Sequence, residues 1–190
     1  MNKSDARYLK SRKAIVETSI QLLLSNPDAG MSEIALAAGV GRATLYRHFE
    51  TREELIKALT VLCLEETDEA LVPIKDQGLT GVDAIIESIK VIVPMAERFR
   101  FLMNLNSVRT DDEKINRAYQ RQLDELHRYV RQGKKSGEIS KSLPTDWIVA
   151  SYDALLNAAW TLIQYGNLSS DQATQVFVRS FRASLNPPST

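Results

Sequence analysis

Cysteine and histidine are scarce in this 190-residue sequence. The single cysteine, Cys63, excludes an internal disulfide and a cysteine-rich zinc site. The two histidines, His48 and His127, lie far apart in the sequence, and no carboxylate pair has an evident catalytic purpose. We therefore predict no metal site, no cofactor and no enzymatic activity.

Long apolar runs are also absent. No stretch approaches the ~18 apolar residues that a membrane-spanning helix needs, and the polar segment 1–13 lacks the apolar run of a signal peptide. The composition, 44% hydrophobic and 25% charged, is that of an ordinary soluble domain. These features predict a cytoplasmic protein without a membrane partner.

The formal net charge is zero, but the charges are unevenly distributed. Residues 1–52 carry eight cations and five anions, a net charge of +3 that the rest of the chain balances. Five of these cations lie in the first thirteen residues. For Lys3, Arg7 and Lys10 two interpretations stay open: contacts to a phosphate or minor groove, or a disordered solubilising tail.

Glycine and proline are few, and signals for helix starts recur along the chain. Capping boxes are predicted where Ser or Thr precedes Glu, Asp or Gln by three positions, at Thr51/Glu54, Thr80/Asp83, Thr110/Glu113 and Ser169/Gln172. We predict an all-α chain of about nine helices, at roughly 11–25, 31–38, 42–48, 51–75, 81–93, 95–107, 111–136, 145–165 and 170–185. The helix at 145–165 is apolar nearly all round and must be covered on more than one side.

Residues 31–50 have the spacing of a helix-turn-helix. Ala35 is small enough for two helices to cross closely, and Gly39, four residues later, suits a turn that needs a positive φ. A small shared core is predicted from Ile34, Ala38, Val40 and Leu45. This arrangement leaves the second helix free to enter a major groove.

The second helix of this motif is rich in hydrogen-bond donors and has no acidic residue. Its candidates for contacts to base edges or phosphate oxygens are Arg42, Thr44, Tyr46, Arg47 and His48. Arg52 follows in the first turn of the next helix, where backbone N–H groups also attract phosphate. The sequence therefore predicts binding to double-stranded DNA.

Residues 12–60 resemble the DNA-binding domain of the tetracycline-repressor (TetR) family of bacterial regulators. The resemblance is carried by the run Thr44-Leu45-Tyr46, then His48-Phe49, followed by the capped helix start Thr51-Arg52-Glu53-Glu54-Leu55. Ala14-Ile15, Leu22-Leu23, Ile34-Ala35 and Ala38-Gly39-Val40 match as well. It covers about the first third of the chain.

The resemblance implies individual roles. Thr44, Tyr46 and His48 are expected to contact phosphates, whereas Arg42, Ala43 and Arg47 are expected to face the groove. Arg52 is expected to anchor the next helix to the DNA backbone. The sequence departs from the family where Gly41 replaces the usual serine cap, and where Ala29 and Gly30 replace a Thr/Ser pair that often touches phosphate.

For the rest of the chain, the resemblance implies an effector pocket and a homodimer paired through helices at about 145–165 and 170–185. Small and apolar residues on both helices favour such a four-helix pairing. The candidate pocket residues are Leu62, Cys63, Met95, Phe99, Met103, Tyr119, Tyr152, Asn157 and Trp160. Each is open to a second interpretation as plain core, and Asn157 also as a residue of the dimer seam.

We therefore predict two domains: residues 1–60 for DNA binding and residues 61–190 for ligand sensing and dimerisation. The predicted function is a transcriptional regulator, most plainly a repressor that an unidentified small apolar or amphipathic effector releases from a palindromic operator. The alternative is a DNA-binding protein that a protein partner controls, or that has no small-molecule effector.

Overall fold

The fold is seen in a computed structural model that describes residues 3–96 and 112–185, with the side chains of Tyr8 and of residues from Ser11 onward. Within this part of the chain there are eight α-helices and no strand, which confirms the predicted all-α class. The helices are α1 (Lys3–Ser25), α2 (Met31–Ala37), α3 (Arg42–His48), α4 (Arg52–Asp76), α5 (Gly81–Ile92), α6 (Glu113–Ser136), α7 (Thr145–Gln164) and α8 (Ser170–Leu185).

The described residues form two compact units, one of residues 3–64 and 112–115 and the other of residues 65–96 and 116–185. The division falls after Leu64, within α4, and the domain boundary predicted at residues 60 and 61 falls in the same helix. None of the described helices is long and apolar enough to cross a membrane.

Two predicted helices need comment. The backbone is helical from Lys3, eight residues before the predicted start, so the basic segment is not an extended tail. The apolar pattern of α1 begins only near Ile15, and sequence reasoning from periodicity therefore placed the start too late. The helix predicted at 95–107 can be checked only at its start: Met95 ends a 3₁₀ turn over Val93–Met95, and residues 97–107 lie outside the described part.

The predicted capping boxes have mixed outcomes. Before α8 the box is complete: the Ser169 N–H donates to Gln172 Oε1 at 2.9 Å, and the Gln172 N–H donates to Ser169 Oγ at 3.2 Å. Before α4 the Glu54 N–H donates to Thr51 Oγ1, but the Glu54 carboxylate accepts from the Glu50 N–H instead.

The box at Thr80/Asp83 is wrong, and Thr110 of the fourth box lies outside the described residues. The Thr80 side chain makes no cap hydrogen bond to α5. At α6 the cap is Asp112, whose Oδ1 accepts from the Lys114 and Ile115 N–H groups at 3.0 and 3.3 Å. A carboxylate at the start of the helix is also favoured by the helix dipole.

The N-terminal unit is built on one apolar core. Fully buried side chains from α1 to α4 meet in it, among them Ile15, Ile34, Leu45, Phe49 and Leu59. Ala38 and Val40 are partly buried against the same cluster, which confirms the predicted core of the helix-turn-helix. The three short elements α2, α3 and their turn are thus held by contacts to the longer helices α1 and α4.

The second unit has an aromatic centre. The Tyr152 ring of α7 lies 5.3 Å from that of Phe177 and 5.7 Å from that of Phe181, both on α8. The edge-on geometry of the last pair is one that aromatic rings favour. The side of α7 that carries Tyr152 and Trp160 is buried, and its opposite side is exposed.

Candidate nucleic-acid interface

The turn between α2 and α3 closes through a Schellman motif. Gly39 has a φ of +66°, the left-handed conformation that glycine adopts without strain. The Gly39 N–H donates to the Leu36 carbonyl at 3.1 Å, and the Val40 N–H donates to the Ala35 carbonyl at 3.0 Å. The predicted role of Gly39 is therefore confirmed, and the turn sets the direction in which α3 leaves α2.

Helix α3 has a buried side and an exposed side. Leu45 and His48 are buried and attach the helix to the domain core. The side chains of Arg42, Ala43, Tyr46 and Arg47 are exposed, and Thr44 is half-buried at the margin. These exposed positions share one side of the helix because successive turns repeat every 3.6 residues. The exposed surface, which we call the α3 face, contains two arginines, a phenol and no acidic residue.

Arg52 is engaged inside the domain. Its Nε donates to the Ala29 carbonyl at 3.1 Å, and its Nη2 donates to the Pro27 carbonyl. The guanidinium thus ties the start of α4 to the loop before α2, a role that the sequence did not reveal. These bonds use two of the five N–H donors of the group, and the predicted phosphate contact of Arg52 stays a prediction.

His48 is placed differently from what the sequence predicted. The imidazole is only 7% exposed, its Nε2 lies 2.6 Å from Ser11 Oγ, and its ring lies 4.2 Å from the Tyr8 ring. It therefore packs against α1, and its predicted phosphate contact stays a prediction. Burial, and after it the cations of Arg47 and Arg12, hold the pKa of His48 below its usual value.

The backbone N–H group of Gly30, just before α2, has its hydrogen-bond acceptor within the chain. Glu33 Oε2 accepts from the Gly30 N–H at 2.9 Å, at the start of α2 where Ala29 and Gly30 stand. A carboxylate at this place repels a phosphate oxygen.

The candidate pocket residues are divided between the two units. Leu62 is half-buried and Cys63 is fully buried in the N-terminal unit. In the second unit Tyr152 and Trp160 are buried, Met95 is half-buried, and Tyr119 and Asn157 are exposed. Phe99 and Met103 lie outside the described residues. Tyr152 fills the aromatic centre, which corresponds to the second interpretation of that residue as core.

One acidic residue that the sequence did not single out lies among the candidates. Partial desolvation raises the pKa of the Asp153 carboxyl, whose side chain is exposed in part, and the nearby His127 offsets some of this rise. Partial desolvation, and after it the neighbouring Asp153, also raises the pKa of Tyr119, although its side chain is 46% exposed. Among the described residues, no group of three or more His, Cys, Asp or Glu side chains is arranged to hold a metal ion.

The second unit exposes a surface of small and apolar side chains on α7 and α8. Trp147 is 64% exposed and Tyr165 is 73% exposed, at opposite ends of α7. Between them and on α8 the surface, called here the α7–α8 face, includes Ala150, Ala154, Asn157, Ala158, Leu162, Val176, Ser180 and Ala183. Large exposed aromatic side chains in such a setting indicate a surface that another molecule covers.

Comparisons with known proteins agree with this geometry. Residues 27–59 match the family model described as bacterial regulatory proteins, tetR family. Over 50 residues the chain is 40% identical to the HTH-type transcriptional repressor LfrR of Mycolicibacterium smegmatis, a match that spans about a quarter (26%) of each protein. It is 28% identical over 142 residues, 70% of each protein, to the nucleoid occlusion factor SlmA of Marinobacter nauticus.

Solved structures share the whole fold. The crystal structure of LfrR from Mycobacterium smegmatis in complex with proflavine has a TM-score of 0.75 at 20% identity, covering 96% of this chain and 99% of LfrR. A transcriptional regulator from Saccharomonospora viridis in complex with choline has a TM-score of 0.72 at 17% identity, covering 93% of this chain and 97% of the other. At these identities the likeness shows the fold.

Arg52 and Arg42 differ in their contacts, because Arg52 bonds to backbone carbonyls of the domain and Arg42 is exposed. We expect Arg52→Ala to lower the free energy of unfolding by roughly 1–3 kcal/mol, because the carbonyls of the loop before α2 lose a charged donor. Arg42→Ala, on the exposed α3 face, is the matched control and is expected to change it by less than about 0.5 kcal/mol. Urea unfolding of the full chain measures both, and equal losses would contradict the anchoring role of Arg52.

Proposed function

We propose that this chain, which belongs to the tetR family of bacterial regulatory proteins, is a homodimeric transcriptional repressor. It binds a two-fold symmetric operator and leaves it when a small apolar or amphipathic effector binds. The observation that carries the DNA-binding part is the α3 face, an exposed row of donors on a helix whose other side is fixed in the domain core.

The proposed contacts follow from side-chain chemistry. Arg42 and Arg47 face the major groove, where a guanidinium donates two hydrogen bonds to O6 and N7 of a guanine. Ala43 lies between them and leaves room for close approach to the bases. Thr44 and Tyr46 donate to phosphates, which fixes the register of the helix without reading sequence. His48, being buried, is left out of this contact set.

Dimerisation is supported by the α7–α8 face. A surface that exposes Trp147 and Tyr165 beside a row of alanines is apolar, and small side chains allow helices of two protomers to approach closely. Two α7–α8 pairs then form a four-helix bundle about a two-fold axis. The exposed position of Asn157 favours its place in this seam over a place in a pocket.

An effector is supported by the complexes that related folds form, with proflavine in LfrR and with choline in the regulator from Saccharomonospora viridis. Met95, Tyr119 and Trp160, all of the second unit, are the proposed lining. Helix α4 contributes residues to both units over 25 residues, about 37 Å. We assign it the transmission of the signal, because the division into units falls within it, after Leu64.

The DNA-binding proposal is tested by selecting duplexes from a random pool with the full chain. We expect a palindromic sequence whose half-site centres lie about 34–36 Å, or a multiple of this, apart. Arg42→Ala is expected to relax one position in each half-site by roughly 1–3 kcal/mol. A sequence without two-fold symmetry would contradict the proposal.

The dimer proposal is tested in the same selection with a matched pair of variants. Ala154→Arg places a charge in the α7–α8 face and is expected to give monomers in sedimentation, with loss of the symmetric preference. Gln175→Arg, exposed on α8 outside that face, is expected to leave the dimer intact. A monomer of the unaltered chain at micromolar concentration, with and without DNA, would rule out the dimer.

The effector proposal requires reciprocal coupling. A small molecule that co-purifies with the protein, identified by native mass spectrometry, is expected to bind roughly 5–150-fold more weakly to the operator complex than to the free protein. Trp160 fluorescence reports the binding. Equal affinity for both forms would contradict release by this molecule and favour control by a protein partner.

A further inference from the structure

We propose that Tyr8 and Ser11 of α1 position the recognition helix α3 through the uncharged imidazole of His48, so that DNA affinity falls when His48 takes up a proton. This inference rests on the proposed DNA binding and adds to it a residue that acts without touching DNA. It makes the first turns of α1, outside the helix-turn-helix motif, part of the DNA-binding machinery.

The contact joins two elements that are distant in sequence. Ser11 and His48 are separated by 37 residues, and their Oγ and Nε2 atoms lie 2.6 Å apart. The Ser11 hydroxyl also donates to the Tyr8 carbonyl at 3.1 Å. Because a hydroxyl carries one proton, the imidazole donates its Nε2–H to Ser11 Oγ in this arrangement. The Tyr8 ring covers the imidazole on the side of α1.

This contact lies at the end of α3, in its last turn. A helix of seven residues has little stability of its own, so its orientation depends on what its buried side contacts. Leu45 holds its middle in the core, and His48 holds its end against α1. Loss of the His48 contact frees the end of the helix that carries Arg47 on its exposed side.

A second proton on the imidazole has no place in this cluster. Nδ1 is buried and has no hydrogen-bond partner among the described residues. Among the described residues, the charged groups that act on the ring are two cations, Arg12 of α1 and Arg47 of α3, and the Tyr8 and Phe49 rings lie beside it. A buried Nδ1–H would be an unsatisfied donor and a third positive charge.

The sign of the pH effect follows. Burial and the two cations lower the pKa of His48 in the folded protein below the value of 6.5 that it has when unfolded. The stabilisation of the fold by the neutral imidazole is therefore present above about pH 6.5 and is lost as the pH falls through the lowered pKa, where the folded protein takes up the proton and the contact to α1 is broken. A His48 that contacted a phosphate would behave in the opposite way, because its protonation would strengthen DNA binding.

The test measures binding of the full chain to a duplex selected by the unaltered protein, by fluorescence anisotropy at constant ionic strength. As the pH falls from about 7.5 through the lowered pKa of His48, we expect the affinity to fall relative to a variant without the titrating group, by up to about tenfold for each pH unit below that pKa. That variant is His48→Gln, whose amide N–H replaces the Nε2–H donor and does not titrate. His127→Gln, which removes the only other histidine, is the matched control and should keep the slope of the unaltered protein.

A second pair of variants probes the partner side. Ser11→Ala removes the acceptor and is expected to weaken binding roughly three- to tenfold at about pH 7.5. Ser25→Ala, at the other end of α1, is expected to leave affinity unchanged, since its hydroxyl bonds only to carbonyls of its own helix. Thermal unfolding of each variant, followed by circular dichroism, identifies any that fail to fold.

Three results would overturn the inference. Affinity that rises as the pH falls, and that becomes flat in His48→Gln, would show a phosphate contact. The same slope in His48→Gln as in the unaltered protein would show that His48 plays no part, and unchanged binding by Ser11→Ala would remove the α1 contact from the mechanism. Failure of the unaltered protein to bind any duplex at about pH 7.5 would contradict the proposed function itself.

Discussion

A seven-residue helix does not hold its shape in water, because isolated helices shorter than roughly 12–15 residues are marginal. Helix α3 exists because its inner side is buried, with Leu45 in the apolar core and His48 against α1. The Schellman turn at Gly39 precedes the start of the helix, and the buried Phe49 ends the helix in an extended conformation. Because the inner side of α3 is buried, Arg42, Tyr46 and Arg47 are exposed to solvent or to a bound partner molecule.

The dependence of α3 on its buried side also explains how much of this site could be predicted from the sequence. The spacing of Ala35, Gly39 and Leu45 predicts the helix-turn-helix because these residues make local contacts with a fixed geometry. The roles of Arg52 and His48 were not predictable, since both depend on contacts over more than twenty residues of sequence. The residue types on a short helix indicate that it contacts a ligand. Which of those side chains are exposed depends on how the helix packs on the core.

Prediction from the sequence has a similar limit in the second unit. The apolar character of α7 predicted covering on two sides, and the structure places one side on α8 while Trp147, Leu162 and Tyr165 remain exposed on the other. The identity of the exposed side depends on which aromatic residues meet Phe177 and Phe181, which periodicity does not specify. Asp112 replaced the predicted cap of α6 for a comparable reason: several adjacent polar residues compete for one helix start.

The central claim is that the exposed face of α3 enters the major groove of DNA, and guanine methylation tests it most directly. A methyl group on guanine N7 projects into the major groove, whereas one on adenine N3 projects into the minor groove. On a duplex selected by the full chain, we predict that N7 methylation interferes with binding in two clusters centred about one helical turn, or a multiple of it, apart. Interference confined to adenine N3, or a single N7 cluster without its two-fold mate, would contradict this account.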